Sequence, residues 1–102
     1  MHSIIYITTK NRQEADKIVD TLLGEKLIAC ANVFPVASKF WWKGRIERCS
    51  ETAVICKTKS KLASAVIKRS KQLHSYDVPD AIEISIRSGN KNFLRWIDDS
   101  TR

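Results

Sequence analysis

Apolar positions along this chain recur first at strand spacing, then at helical spacing, and the alternation repeats. Ile4-Ile5-Tyr6-Ile7-Thr8 is β-branched and aromatic, which predicts a short first strand. Asn11 stands where a helix N-cap is needed, and Glu14 three residues on completes a capping box. Ala15, Ile18, Val19, Leu22 and Leu23 follow as one apolar stripe, and Gly24 supplies the stop. Leu27 to Trp42 reads as a long extended segment bent at Pro35, which cannot donate to a ladder and so marks a bulge or an edge. Lys43-Gly44 predicts a turn, and Arg45 to Thr58 a returning strand whose clearest part is Thr52-Ala53-Val54-Ile55-Cys56. Ser60 is expected to cap a second helix with Leu62, Ala65, Val66, Arg69 and Leu73 on one face, and Val78-Pro79 ends the following loop. Ile82, Ile84 and Ile86 alternate with Glu83, Ser85 and Arg87, predicting a strand buried on one side. Asn90 caps a short terminal helix with Phe93, Leu94 and Ile97 as its inner face and Trp96 nearby.

The order βαββαβ predicts an α+β, ferredoxin-like sandwich, an antiparallel sheet with two helices on one face, here with a long protruding hairpin and an extra C-terminal helix. The hairpin follows from lengths. A strand of about 15 residues extends roughly 50 Å, whereas a domain of this size is only about 35 Å across. Residues 27–58 therefore overhang their own core. The overhanging end carries Phe40, Trp41 and Trp42, which are unfavourable in water, so a second copy of the chain pairing strand edges is expected to cover them.

Length and composition fit a single soluble domain spanning residues 1–102, with 43% hydrophobic residues and few Gly and Pro. No apolar run is long enough to cross a bilayer, and Met1-His2-Ser3-Ile4 enters a strand without a basic leader, so a cytoplasmic protein without membrane association is expected. Cys30, Cys49 and Cys56 are odd in number and form no CxxC, which favours reduced thiols. The net charge of +7 raises the expectation of anionic partners. Lys57, Lys59, Lys61, Lys68, Arg69 and Lys71 occur without an intervening acid, the pattern of a solvated helix face or an anion-binding one.

Taken in order, Thr8-Thr9, Ala29-Cys30-Ala31-Asn32-Val33, Trp42-Lys43-Gly44-Arg45-Ile46-Glu47, Lys57-Thr58, Leu73-His74-Ser75-Tyr76-Asp77-Val78-Pro79 and Phe93-Leu94-Arg95-Trp96-Ile97 resemble the CutA family of divalent-cation tolerance proteins. The chain departs from that pattern in carrying Ser75 in place of proline, Asp77 and Asp80 in place of glutamate, and Phe93 in place of tyrosine. The resemblance implies a ferredoxin-like protomer in a tight homotrimer and a link to tolerance of copper and other divalent cations; no catalysed reaction follows from it.

Candidate chemistry is sparse. Cys30 is either a small buried hydrophobe or a soft ligand for copper. His74 either offsets a helix C-terminus or serves as a metal ligand. No HxH, CxxC or HExxH occurs, so any metal site has to be assembled across the fold or between subunits, with Cys30, His74 and Glu51 as its candidates. Lys57, Thr58 and Tyr76 are candidates for an anion or small-ligand cleft. Phe40, Trp41 and Trp42 are candidates for the oligomer interface, with the two tryptophans on opposite sheet faces. An RNA-binding sheet of this fold needs aromatics on the central strand, and Thr52 to Cys56 has none, so nucleic acid is disfavoured. Two readings lead: a non-enzymatic trimer binding copper or other divalent cations, or a regulatory trimer holding a small anionic ligand or a partner protein between subunits, with metal binding incidental. An enzyme using Cys30 or His74 is a weaker third.

Overall fold

The computed structural model describes all 102 residues. Strand β1 (His2–Thr9) is followed by helix α1 (Arg12–Gly24), strands β2 (Cys30–Trp42) and β3 (Arg45–Lys59), a 3₁₀ turn (Ser60–Leu62) leading into helix α2 (Ala63–Leu73), strand β4 (Ala81–Ile86) and helix α3 (Lys91–Ser100). The sheet order is β2-β3-β1-β4 and every neighbouring pair is antiparallel. Helices α1 and α2 pack on one face, where Ile5, Ile7, Ile18, Leu22, Val54 and Val66 close the core. This is the ferredoxin-like sandwich that the element order predicts.

The first helix starts as expected. Asn11 Oδ1 accepts the Glu14 N–H at 2.9 Å. The reciprocal half of the box is altered, because the Glu14 carboxylate takes the Lys10 N–H instead. The helix ends differently from expectation. Gly24 is still helical, and the left-handed residue is Lys26 (φ 57°). Lys26 N–H donates to Leu23 O and Leu27 N–H to Leu22 O, the paired bonds of a Schellman cap, with Leu27 buried behind it. Leu23, expected in the apolar stripe, is exposed.

Pro35 makes no bulge. The β2–β3 register runs one-to-one from Cys30↔Lys57 through Pro35↔Thr52 to Trp42↔Arg45. Proline is tolerated because β2 is an edge strand and its missing N–H need not face a partner. Lys43 (φ 50°) and Gly44 (φ 76°) both take positive φ, as a two-residue primed hairpin turn requires. Strand β1 reaches only Thr52 on β3, so from Val36↔Glu51 outward the hairpin pairs with nothing but itself. That overhang draws the protomer out to 44 Å along its long axis against 26 and 21 Å across it.

Three further expectations are corrected. Ile82 and Ile84 are not buried: they lie in register with Tyr6 and Ile4 on the face away from α1 and α2, and are 54% and 49% exposed. Ser60 caps no helix; its hydroxyl bonds the Ser3 hydroxyl at 2.7 Å. In α3 only Ile97 is fully buried, while Phe93 turns outward and stacks on Trp96 at 5.6 Å. The tie between His2 and Asp98, 2.8 Å apart, holds α3 against the start of β1.

Lys26 gives the fold a direct test. A left-handed non-glycine residue costs on the order of 1–2 kcal/mol. Lys26→Gly is therefore expected to stabilise the protein by about 1 kcal/mol, read as a raised midpoint in thermal or urea unfolding. An unchanged or lowered midpoint would contradict the strain assigned to this cap.

Candidate functional site

At the base of the overhang the end of β1, the start of α1, β3 and the loop after α2 converge on one hydrogen-bonded cluster. His74 is the C-cap of α2, and its side chain is almost wholly buried. Its Nε2 lies 2.7 Å from the carbonyl oxygen of Thr8, and its Nδ1 accepts the Tyr76 N–H at 3.2 Å. A carbonyl only accepts, so Nε2 is the donor to Thr8, and Nδ1 is the acceptor from Tyr76. Glu14 sits behind it, Oε1 3.6 Å from Nδ1, and Oε2 takes the Ser75 N–H at 3.1 Å. Burial works to raise the Glu14 carboxyl, but hydrogen bonds from Ser75 and Lys10 outweigh it and hold the group below its ordinary value.

Tyr76 packs its ring 4.6 Å from that of His74 and donates its hydroxyl to Glu51 Oε2 at 2.7 Å. Burial, then the hydrogen bond and charge of Glu51, push the phenol well above its ordinary range. Asp80 closes the loop by accepting the Thr8 hydroxyl at 2.7 and 2.8 Å. The cluster thus pins residues 74–80 to three separate elements.

Cys30 lies elsewhere. It pairs with Lys57, six residues along β3 from Glu51, a separation of about 20 Å at ~3.3 Å per residue. The chain brings His74 and Glu51 together through Tyr76 but leaves Cys30 at the far end of the sheet. No group of three or more His, Cys, Asp or Glu side chains comes together in one protomer as metal ligands. His74 moreover has both ring nitrogens engaged. Within one protomer these residues do not fit a closed metal site.

The ligand candidates also separate. Lys57 Nζ donates to Asn32 Oδ1 at 2.8 Å and lies 5.8 Å from the centre of the Phe93 ring, beside Cys30 on the open face. Thr58 points to the other face, buried, with its hydroxyl on Leu27 O at 2.6 Å. Tyr76 belongs to the loop cluster. Phe40, Trp41 and Trp42 are all exposed on the overhang, with Trp41 opposite Ile46 and Trp42 opposite Arg45, hence on opposite faces. Of the thiols, Cys56 is buried and pushed up to about 12 by burial and then by the neighbouring Cys30, which makes it a packing residue rather than a nucleophile. Thr8, Glu14, Asp80 and Asn32 join these clusters without having been singled out for them by sequence. Glu14 was visible only as a cap, since its second role depends on Ser75, far along the chain.

A model of the CutA1 divalent ion tolerance proteins matches residues 3–100. The chain belongs to this family. The divalent-cation tolerance protein CutA of Archaeoglobus fulgidus is 46% identical, covering 98% of both chains. Its solved structure, described as that of a periplasmic divalent cation tolerance protein, superposes with a TM-score of 0.96. The CutA of Pyrococcus horikoshii is 40% identical over 97% of each chain. The Cut A1 structure from Thermus thermophilus, at 30% identity, covers 100% of both chains with a TM-score of 0.96.

Two outcomes test the loop cluster. Because the folded Glu14 carboxyl titrates below the ordinary value of 4.5, its stabilisation is present above that pH and lost as pH falls through the folded value. Glu14→Gln is expected to lower stability by about 1 kcal/mol at neutral pH and to flatten the acid limb of the stability–pH curve. A parallel acid limb in the variant would show that Glu14 does not carry the effect. Tyr76→Phe leaves the largely buried Glu51 carboxylate without its donor and is expected to cost about 1–3 kcal/mol in denaturant unfolding. A cost within error of zero would mean that water replaces the phenol.

Proposed function

We propose that this CutA-family protein is a cytoplasmic homotrimer that binds copper or another divalent cation between subunits and contributes to metal tolerance without catalysing a reaction. Family membership carries the tolerance role. The overhang supports assembly, because its Phe40 and Trp42 extend the open sheet face that already exposes Ile82 and Ile84. Such a surface is unfavourable in water and is covered when copies associate. The three free cysteines fit a reducing compartment.

A metal site in this reading takes donors from more than one copy, since one protomer offers no closed set. Cys30 is its soft donor. It lies half-buried on the open sheet face, where a neighbouring copy can supply the other ligands. His74 and Glu51 remain candidates for the neighbouring copy's share, provided the loop cluster opens. The second reading, a trimer regulating through a small anionic ligand or a partner protein, rests on Lys57. Its ammonium faces only Asn32 and the Phe93 ring and has no carboxylate partner.

Native mass spectrometry of chelator-treated protein, titrated with Cu(I), Cu(II) and Zn(II) beside Cys30→Ser, separates these readings. The expected result is a trimer carrying three metal ions that resist a competing chelator, with the metals lost and the trimer kept in the variant. Scattered, chelator-labile stoichiometry overturns the metal site and favours the anionic ligand, whose thermal stabilisation Lys57→Ala would abolish. A monomer overturns both.

A further inference from the structure

The two faces of the overhanging hairpin differ in charge. Strand alternation places Glu47, Cys49 and Glu51 of β3 on the face that continues the open side of the sheet, opposite Phe40, Ser38 and Val36. The other face continues the side on which α1 and α2 pack. It carries Lys39 directly across from Arg48 and Trp41 directly across from Ile46. Trp41 is 72% and Ile46 59% exposed. Neither cation has a carboxylate partner, because the ion pairs of the chain all lie elsewhere.

Like charges directly opposed on antiparallel strands repel. An exposed Trp–Ile pair beside them leaves apolar surface in water. A partner that relieves both at once brings negative charge and a flat apolar surface together. We propose that this strip binds single-stranded nucleic acid, with Trp41 stacking on a base and Lys39 and Arg48 holding the adjoining phosphates. Stacking on an aromatic tolerates any base, and flanking cations supply the rest of the affinity. The chain's charge of +7 draws such a ligand in. Exposed Lys68 and Lys71 lie in the last turns of α2, whose end is tied to Thr8 at the base of the overhang.

The expectation against nucleic acid concerned aromatics on β3 within the core, whereas Trp41 stands on the strand pair beyond it. An anionic membrane would also meet tryptophan and cations, but a hairpin entering it would carry Glu47 and Glu51 in on its other face. A nucleic acid strand needs only the one face. The proposal is independent of metal binding. It assigns Trp41 to nucleic acid instead of the oligomer interface, leaving Phe40 and Trp42 for the latter, and it requires this face to stay open in the assembled protein.

Fluorescence anisotropy of a labelled oligothymidylate with the full-length protein tests it. Binding is expected at low salt, weakening as salt rises. The double variant K39A/R48A should lower the salt slope by about 1.4, at ~0.7 for each phosphate of a single strand that is no longer neutralised. Trp41→Ala should weaken binding roughly ten-fold, while Trp41→Phe keeps most of the affinity. Quenching of intrinsic tryptophan fluorescence by the oligonucleotide, abolished in Trp41→Phe, reports the same stacking while binding persists. Circular dichroism and native mass of the variants are expected to match the parent. Absence of binding overturns the proposal. So does Trp41→Ala that binds as tightly as the parent, which would leave only general attraction to polyanions. Equal, Trp41-dependent binding to phosphatidylserine vesicles also overturns it, in favour of a lipid surface.

Discussion

The mismatch in length between β3 and β1 governs much of this molecule. Strand β3 runs from Arg45 to Lys59, while β1 covers it only from Thr52 onward. Because β2 keeps step with β3 residue for residue, the uncovered part is not a loose loop but a ladder that continues the sheet into solvent. Its stiffness is inherited from the core, and its register is set there. A one-residue slip of β2 against β3 would carry Lys39 and Trp41 onto the face of Glu47 and Glu51. The position of every exposed aromatic on the hairpin thus depends on pairing established at Val54 and Cys56 against Ile7 and Ile5.

Much of the fold was legible in the sequence because periodicity reports local geometry. The stripe Ala15-Ile18-Val19-Leu22, the Lys43-Gly44 turn and the element order all follow from rules acting within a few residues. Where the reading departed from the structure, a longer-range interaction decided. Gly24 looked like the helix stop, yet burial of Leu27 behind the Schellman bonds moved the left-handed residue to Lys26. The isoleucines of β4 alternate as a one-sided strand should. Alternation cannot say which side the helices occupy, and they lie on the side of Glu83. Phe93 shares helical spacing with Ile97, but only one of the two can point into the narrow space that α3 closes.

The candidate site was less legible for the same reason. His74, Tyr76 and Glu51 were each singled out, but their grouping rests on Glu14 and Thr8, which are more than sixty positions from Ser75 and His74 in the chain. Cys30 was placed with them by chemistry alone, and strand register carries it to the opposite end of the sheet. The residues fall into a loop cluster that holds a fold corner together and an open-face cluster around Lys57. The CutA-family relation runs over nearly the whole chain.

Pro35 has a consequence for how copies of this chain can meet. Strand β2 is thirteen residues of free edge, long enough to template indefinite strand addition. The missing N–H divides that edge into two short registers, Cys30–Phe34 beside the core and Val36–Trp42 on the overhang. A strand arriving along one cannot slide into the other without losing a bond at the divide. The edge is thereby converted from a continuous rail, on which fibres grow, into two shorter templates.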